Sequence, residues 1–339
     1  MQCEHQYIER SSGAVRTEKL FADRLVRWLY HPVRENAPAL FKLITGPASS
    51  AALGFFNFDL ALGTKLTGNG RFVEESGIDF SETLEPMEAF RTARDLFERK
   101  IRYRQCRPME DDPEAIVSPA DARVLTGSLD EASSFLIKDK FFRFEELLGG
   151  KEPWTQRLAG GDFAIFRLTP DKYHYNHVPV SGKVVDFYEV EGCFHACNPS
   201  AVVAQATPYS KNRRVVTILD TDVEGGTGVG LVAMVEVVAL MIGEILQCYS
   251  VRDYEDPQPV RPGMFLEKGC PKSLYRPGSS TDILLFEKGR IGFEADLLEN
   301  RDRRDLSSRF SSGFGRPLVE TELAVRSRVG RARKKNQPD

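Results

Sequence analysis

Short apolar runs, separated by turn residues, occupy the chain from residue 114 to residue 286. They include residues 115–117, 163–168, 182–187, 214–219 and 283–286. Runs of this length, rich in Val, Ile and Phe and bounded by Gly, Pro, Asn or Asp, predict β-strands. Because turn signals rather than long helical patterns separate most of them, we expect a mixed or mainly antiparallel sheet. No internal repeat is present.

The first 113 residues have a different pattern and predict helices. Apolar side chains at positions 20, 21, 25, 28 and 29 recur at helical spacing within residues 1–36. A second helix is predicted over residues 88–102, and the Pro- and acid-containing residues 106–113 form a linker. The sequence therefore predicts an α+β protein. It has a helical region over residues 1–113, a β-rich, mainly antiparallel core over residues 114–315, and a basic, flexible tail over residues 316–339.

Apolar and aromatic residues are concentrated in residues 37–66, where Gly and Pro interrupt them. One interpretation is a helical hairpin packed on the core. The other is an interfacial surface, centred on Phe55 to Phe58, that inserts aromatic side chains into a membrane without crossing it. The basic tail leaves a similar choice between a solvated end and a contact with anionic lipid.

The composition excludes several classes of protein. The chain has 339 residues, of which 41% are hydrophobic and 28% charged, and its net charge is −3. These values are typical of a soluble globular protein and argue against a nucleic-acid-binding one. Six irregularly spaced cysteines are expected to be reduced thiols, which suits the cytoplasm. We expect neither a signal peptide nor a helix that spans a bilayer.

Two of the five histidines, His174 and His177, lie close together in the segment YHYNH. Residues at i and i+3 can share one helical face, so the pair could bind a metal. It could equally supply a base and an acid to one site, or serve only in packing. No HExxH motif indicates a metalloprotease.

Two further segments carry chemistry if the fold brings them to these histidines. Asp121 lies in a Pro-Ala turn, where aspartate is typically a cap. Ser279 and Ser280 lie in a turn ahead of residues 283–286, where a strand is predicted. In self-processing chemistry a serine hydroxyl attacks the carbonyl before it, and small neighbours permit the strained turn. Asp121, a histidine and Ser280 would then form a serine–base–orienter triad.

Two other motifs are not expected to bind ligands. The cysteines and the histidine of residues 193–197 lack the spacing of a zinc pair, and no second cluster completes a tetrahedral set. The glycine-rich residues 225–230 lack the Lys-Ser/Thr of a P-loop and the spacing of a dinucleotide-binding turn. We expect no metal.

Taken in order, four segments resemble the phosphatidylserine decarboxylase family, whose members are pyruvoyl-dependent enzymes made as proenzymes. The segments are SPADA at residues 118–122, FRLTPDKYHYNHVPVSG at 166–182, NRRVVTILDT at 212–221 and GSSTDILLFEKG at 278–289. The resemblance extends over roughly residues 85–295.

The resemblance implies a role for each matched residue. Asp121 would orient His177, which would take the Oγ proton of Ser280. Ser280 would attack the carbonyl of Ser279, an ester would replace the peptide bond, and elimination would split the chain. The products would be a large chain, residues 1–279, and a small chain, residues 280–339, that begins with a pyruvoyl group.

The same resemblance implies how the processed protein would act. The pyruvoyl ketone derived from Ser280 would form a Schiff base with the amine of the substrate and serve as the electron sink after loss of CO2. His174 would hold the carboxylate of the substrate or reprotonate the product carbon.

Two features depart from the family pattern. Ser279 stands where Gly is usual, so counting from Gly278 makes Ser279 the attacking residue, whereas the register of the following strand makes it Ser280. Residues 268–275 match poorly, and Asp282 stands where an apolar residue is usual. Because these positions line the expected substrate pocket, they permit an altered choice of substrate.

Three functions are compatible with these patterns. The first is conversion of phosphatidylserine in a membrane surface to phosphatidylethanolamine and CO2, by a cytoplasmic, peripherally membrane-associated protein that we expect to be a homo-oligomer. The second keeps the pyruvoyl chemistry but uses a soluble amino acid. The third is a lipid-binding module that is never processed.

Overall fold

The computed structural model describes residues 4–20, 23–55, 58, 77–130, 141–205, 207–240, 244–277 and 280–333. The strands are β1 (Gln6–Glu9), β2 (Ala14–Thr17), β3 (Ala115–Val117), β4 (Ala122–Ser128), β5 (Asp162–Leu168), β6 (Tyr175–His177), β7 (Gly182–Val190), β8 (Arg214–Asp220), β9 (Leu231–Val238), β10 (Ile245–Gln247), β11 (Phe265–Leu266), β12 (Pro271–Tyr275), β13 (Ser280–Phe286), β14 (Ile291–Phe293), β15 (Glu320–Leu323) and β16 (Arg328–Ala332).

The helices are short. They are α1 (Asp23–Trp28), α2 (Arg34–Asn36), α3 (Pro38–Ile44), α4 (Pro47–Gly54), α5 (Ala93–Phe97), α6 (Tyr103–Cys106), α7 (Phe144–Leu147), α8 (Glu152–Leu158), α9 (Pro199–Ala204), α10 (Pro208–Lys211), α11 (Ala295–Arg301) and α12 (Arg309–Phe314). A π-helical turn over Leu29–Val33 joins α1 to α2.

One ten-stranded sheet runs through the molecule in the order β11-β7-β8-β9-β13-β5-β4-β15-β1-β2. Neighbouring strands from β11 to β15 pair antiparallel. Strand β1 joins β15 in parallel and pairs antiparallel with β2. Since helices accompany a large, mainly antiparallel sheet, the predicted α+β class is confirmed.

Strand β13 lies inside this sheet, between β9 and β5, and is buried on both faces. Ile283 and Leu285 pack into one apolar core, whereas Leu284 and Phe286 pack into the other. A strand covered on both faces has a nearly continuous apolar sequence, which explains the pattern of residues 283–286. The second core also contains Tyr275 of β12, so the small sheet β10-β12-β6 packs on that face.

Helix was predicted within residues 1–36 after a short polar lead, and the structure has a helix from Asp23 but forms strands in the lead. Residues Gln6–Glu9 and Ala14–Thr17 form a hairpin, and helix begins only at Asp23. The first strand is held by its pairing with β15, at the other end of the chain. A pairing this distant has no signal in the local sequence, because strand formation depends strongly on cross-strand neighbours.

The basic tail also differs from its prediction. Glu320–Leu323 and Arg328–Ala332 are strands rather than a flexible segment. The basic side chains are matched by acids, since Arg328 pairs with Glu294 at 2.9 Å and Arg331 pairs with Asp112. Residues 334–339 lie outside the described part of the chain.

Helices α1 to α4 pack on the core through one side and expose apolar side chains elsewhere. The buried residues are Leu29, Tyr30, Val33 and Phe41, which contact Ala196, Ala201 and Leu240. The exposed residues are Leu25, Trp28, Leu40, Leu43 and Phe55. Within the described ranges, no helix combines the length and the apolarity needed to cross a membrane. Phe56, Asn57 and residues 59–66 lie outside those ranges.

Candidate active site

The candidate residues gather where neighbouring strands of the ten-stranded sheet begin or end. This row of strand ends is here called the edge of the sheet. Ser280, the first residue of β13, lies opposite Leu168 at the end of β5 and opposite Val238 at the end of β9. Asp121 directly precedes β4, which runs antiparallel to β5. His174 and His177 follow the end of β5. Because antiparallel strands alternate in direction, these ends and starts lie at the same edge.

Ser280 is fully buried, and its Oγ has no hydrogen-bond partner among the residues that the structure describes. A buried hydroxyl without a partner costs free energy and is rare in folded proteins, so it requires an explanation. The hydroxyl is available for reaction, and its residue begins a strand held from both sides. This environment fits the precursor of a pyruvoyl group. Gly278 and Ser279 lie outside the described residues.

His174 is fully buried and stacked on Phe97, with the ring centroids 3.5 Å apart. Its Nδ1 lies 2.7 Å from the carbonyl oxygen of Lys172, so Nδ1 carries the proton and donates. The Nε2 atom has no partner and keeps its lone pair. Burial, together with the charge of Arg99, lowers the pKa of His174 to about 3. His174 is therefore a neutral proton acceptor.

His177 is held by three contacts. Its backbone N–H donates to the carbonyl of Pro119, at 2.7 Å, which connects β6 to the turn before Asp121. Its Nδ1 donates to the carbonyl oxygen of Gly269, at 2.8 Å, and its Nε2 accepts from the hydroxyl of Tyr173, at 3.0 Å. Burial lowers the pKa of His177 to about 3. This ring is also a neutral base.

A chain of hydroxyl groups leads from His177 toward the surface. The hydroxyl oxygen of Tyr173 lies 2.8 Å from that of Tyr254. The Tyr254 hydroxyl also lies 2.9 Å from the carbonyl oxygen of Ile101, its single proton can go either there or to Tyr173, and its ring is half-buried. Neither tyrosine was predicted as a site residue, because aromatic residues in a buried segment are more often packing residues.

The contacts of Asp121 stabilise the ionised form of its carboxyl group. Both carboxylate oxygens accept from Arg107, at 2.9–3.2 Å, and Oδ1 also accepts from the backbone N–H of Val325, at 2.7 Å. Burial opposes ionisation, yet the hydrogen bonds and charge of Arg107 outweigh it and lower the pKa of Asp121. Asp121 and His177 therefore lie at the same edge, but their hydrogen bonds go to other groups.

A cavity of about 650 Å³, lined in part by charged side chains, lies beside Asp121. Arg107, Lys172 and Arg326 are among the residues that line it, whereas Ser280 and the two histidines are not. The cavity reaches the Asp121–Arg107 ion pair rather than the serine.

One group of side chains has the spacing of metal ligands among the described residues. Candidate ligand atoms of His5, Glu18 and Glu320 lie within 4.8 Å of one another. Arg167 contacts both carboxylates, at 2.7 and 2.6 Å, and therefore occupies the position that a cation would take. The group is an ion-pair network that joins the two ends of the chain.

Asp282, noted in the sequence as a departure from the family pattern, belongs to a buried polar layer beside Ser280 that was not predicted. Glu236 of β9 contacts Lys272 of β12 at 2.6 Å, and both side chains are fully buried. Asp282 of β13 lies directly opposite Glu236. The sequence signal for this layer was a charged residue inside an otherwise apolar strand. Local patterns assign such a residue to a solvent-facing position, so they do not predict its burial.

Comparison with known proteins agrees with this geometry. The family model for phosphatidylserine decarboxylase matches residues 93–311, which is more than half of the chain. The chain belongs to the phosphatidylserine decarboxylase family. It is a decarboxylase enzyme, and all four candidate residues lie within the matched range.

Curated phosphatidylserine decarboxylase proenzymes from distant organisms are similar to this decarboxylase. One from Chlamydia trachomatis is 30% identical over 325 residues, which cover 90% of this chain and 98% of the relative. One from Fusobacterium nucleatum is 28% identical over 300 residues, which cover 88% and 93%. Proenzyme 2 from Oryza sativa is 36% identical over 231 residues, which cover 67% of this chain and 34% of the relative.

Proposed function

We propose that this decarboxylase cuts its own chain before Ser280, converts that residue to a pyruvoyl group, and forms phosphatidylethanolamine and CO2 from phosphatidylserine. One observation carries the proposal. The Oγ of Ser280 is buried without a partner at the sheet edge where two neutral histidines also lie. Other buried hydroxyls, such as that of Thr217, also lack a partner among the described residues, so the proposal depends on the position of Ser280 beside the two histidines.

The proposed cleavage begins at the Oγ of Ser280. A bond forms from Oγ to the carbonyl carbon of residue 279, and the C–N bond breaks, which leaves an ester. The Oγ proton passes to His177 and then to the freed nitrogen. The Cα proton of residue 280 is then removed, the Cβ–Oγ bond breaks, and residue 279 leaves as a carboxylate. A proton adds to Cβ, and water hydrolyses the resulting imine to the ketone and ammonia.

His177 must change one contact to act in this step. Its Nε2 must exchange the hydroxyl of Tyr173 for that of Ser280. Asp121 is proposed to support the protonated ring through its negative charge, since the hydrogen bonds of its carboxylate go to Arg107 and Val325.

A pyruvoyl group supplies a ketone that condenses with the amine of a substrate and withdraws the electron pair released with CO2. His174 is proposed to act on that substrate. Its unpartnered Nε2 can accept a proton from the incoming ammonium and later return it. Because Nδ1 of the neutral ring already donates to Lys172, His174 offers a substrate carboxylate no free N–H. We therefore propose for His174 the transfer of the amine proton, rather than either role implied by the family.

Cleavage before Ser280 would place β13 to β16 in the small chain. Strand β13 pairs with β9 and β5, and β15 pairs with β4 and β1. Because large-chain strands flank both, we expect the two chains to stay assembled without a covalent bond. A homo-oligomer remains a prediction, which light scattering of the processed protein will test.

We also propose that α1 to α4 contact the phospholipid surface. Trp28 and Leu43 of this region are 51% and 65% exposed. Exposed apolar side chains on peripheral helices are typical of segments that enter the lipid interface. Replacing both residues by Ser should reduce flotation with phosphatidylserine vesicles, whereas Val251→Ser, at another exposed apolar position, should not. Equal flotation of all three proteins would contradict the proposal.

The cleavage proposal is tested by denaturing electrophoresis. The wild-type chain should separate into two fragments, whereas Ser280→Ala should remain one band near 38.1 kDa. Thr217→Val is the matched control, because Thr217 is buried in β8 with an unpartnered hydroxyl and lies outside the site. An uncut wild-type chain would contradict the proposal. Mass analysis of the small chain will show whether it begins at residue 279 or 280.

The roles of the two histidines are separable. His177→Ala should block cleavage, and His174→Ala should still cleave but release CO2 slowly. Equal loss of cleavage in both variants would contradict this assignment. Measuring CO2 release from phosphatidylserine vesicles against free serine and aromatic amino acids will decide between the lipid and a soluble amino acid as the substrate.

A further inference from the structure

A layer of polar side chains lies between the large sheet and the small sheet, next to Ser280. Glu236 and Asp282 come from β9 and β13, and Lys272, Ser273 and Asn176 come from β12 and β6. All five side chains are fully buried. Glu236 accepts from Lys272 at 2.6 Å, from Asn176 at 3.3 Å and from Ser273.

The layer contains one carboxyl group more than its cation can neutralise. Lys272 contacts Glu236 and Gln247, while Asp282 faces Glu236 directly across the β9–β13 pair. On its other side Asp282 lies opposite Phe166 of β5, which carries no charge. Two carboxylates in this arrangement would repel each other in a medium of low dielectric constant. Burial, together with the charge of Glu236, raises the pKa of Asp282 well above its ordinary value.

Either oxygen of Asp282 can carry its proton. The hydroxyl of Tyr275 lies 2.8 Å from Oδ1 and 3.1 Å from the carbonyl oxygen of Thr281, and its single proton can go to only one of them. The other oxygen, Oδ2, is buried without a partner among the described residues. When Tyr275 donates to Oδ1, the proton of a neutral Asp282 is on Oδ2, where no described group accepts it.

Asp282 is close to the reacting residue. Residues 280 and 282 lie on the same face of β13, about 7 Å apart along the strand. Tyr275 links Asp282 to the histidine side of the site, because its backbone N–H donates to the carbonyl of His174 at 3.1 Å. The unpartnered atoms of Ser280, His174 and Asp282 thus belong to one small region.

The reaction needs a proton donor at this place. Decarboxylation replaces a carboxylate by hydrogen and therefore consumes one proton in each turnover. Both histidines present lone pairs at Nε2 and are acceptors. We infer that Asp282 is a proton donor of the site at residue 280 and supplies the hydrogen that takes the place of CO2 on the substrate carbon.

The atoms balance in this step. The bond from the substrate carbon to its carboxylate breaks, CO2 departs, and the electron pair takes the proton from Oδ2. Asp282 becomes a carboxylate opposite Glu236, and their repulsion favours recovery of a proton from water. The inference rests on the proposed assignment of residue 280.

Infrared spectroscopy tests whether the carboxyl group of Asp282 is protonated, and it needs no turnover. In the uncut Ser280→Ala protein at pH 8, the carbonyl band of a buried, protonated carboxylic acid should be present. It should be absent from Ser280→Ala/Asp282→Asn and retained in Ser280→Ala/Thr217→Val. An identical spectrum in all three proteins would overturn the inference even if the cleavage proposal holds.

Kinetic measurements test whether Asp282 donates a proton to the substrate carbon. Asp282→Asn keeps the size of the side chain and an acceptor for Tyr275 but has no acidic proton. It should cleave at the wild-type rate, bind vesicles with an unchanged KM, and release CO2 roughly 100-fold more slowly. Asp282→Val, with an apolar side chain, should lose turnover similarly, and it replaces Asp282→Asn if the latter does not fold. Wild-type turnover in either variant would overturn the inference, whereas an inactive wild-type enzyme would contradict the proposed function instead.

Discussion

Two buried clusters of charged side chains lie on the same ten-stranded sheet, and they balance charge differently. The first cluster joins Arg123, Arg167 and Lys172 to Glu18, Glu320 and Glu322 through contacts of 2.5–3.2 Å. The second cluster is the layer with Lys272, Glu236 and Asp282. Each of these carboxylates in the first cluster contacts at least one cation, whereas in the second Lys272 contacts Glu236 and no described cation is paired with Asp282.

This difference changes the protonation of the acids. Burial disfavours ionisation in both clusters. In the first, the charges of Arg167 and Arg123 outweigh burial and lower the pKa of Glu18, and Arg167 does the same for Glu320. In the second, burial and Glu236 raise the pKa of Asp282. A balanced cluster therefore fixes structure, here the two ends of the chain, while an unbalanced one favours a protonated carboxyl group beside the residue that we propose to react.

The largest expected effect is on the balanced cluster. Arg167→Met leaves Glu18 and Glu320 without their shared partner, so the free energy of unfolding should fall by about 3–5 kcal/mol. Denaturant unfolding in the Ser280→Ala background, where the chain is single, measures this fall. Arg157→Met is the control, because its ion pair with Glu287 is 61% exposed on the Arg side and is worth less than about 1 kcal/mol. Equal losses would show that burial of the network contributes nothing.

The second effect is on the unbalanced cluster. Lys272→Met removes its only cation, and the free energy of unfolding should fall by roughly 3 kcal/mol. The loss should be smaller than for Arg167→Met because Glu236 can take up a proton and keeps its hydrogen bonds from Asn176 and Ser273. Adding Glu236→Gln should restore most of the stability, since the layer is then neutral. A double variant no more stable than Lys272→Met would contradict this account of the charge balance.

The contrast also shows what the sequence could predict. Alternation and turn residues predicted the β-rich core, and the apolar residues 283–286 predicted the strand that places Ser280 at its start. The histidines and Asp121 were identified from motifs, and the structure places them at the same edge. These features depend on short segments, which a single sequence displays directly.

Other features depend on distant partners and were not predictable in this way. The hairpin at residues 6–17 forms because β1 pairs with β15. The charge of Glu236 would assign it to solvent, and only its contact with Lys272 makes its burial tolerable. The contacts of His177 with Gly269 and Tyr173 depend on side-chain orientation, which motif spacing does not specify.

The two clusters should respond to pH with opposite signs. Glu18 has a lowered pKa when folded, so its contribution is present above about pH 4.5 and is lost as the pH falls below that value. Asp282 has a raised pKa, so the folded state loses stability as the pH rises above about 4. In the Ser280→Ala background, the Tm of Glu18→Gln should lie below that of its parent at neutral pH and approach it at low pH. The Tm of Asp282→Asn should rise relative to that of its parent as the pH rises. If the Tm difference from the parent changes with pH in the same direction for both variants, the comparison is contradicted.

The histidines of the site add a third pH window. His174 and His177 have pKa values of about 3 when folded, so the stability that depends on their neutral rings is lost as the pH falls from about 6.5 toward 3. Replacing His174 by Gln in the Ser280→Ala background should make unfolding less sensitive to acid in this range. An unchanged pH dependence would show that His174 is already protonated in the folded chain.

The smallest effect concerns the hydroxyl of Tyr275, which donates to Asp282. Tyr275→Phe keeps the packing of a fully buried ring and removes one hydrogen bond, so the free energy of unfolding should fall by only about 1 kcal/mol. If Tyr275 directs the Asp282 proton to Oδ2, turnover should fall much more than stability does, whereas cleavage continues. Tyr209→Phe supplies a matched change, because that tyrosine is equally buried in the other core. The same fall in turnover for both variants would mean that the ring packing, and not the hydroxyl at Asp282, governs the reaction.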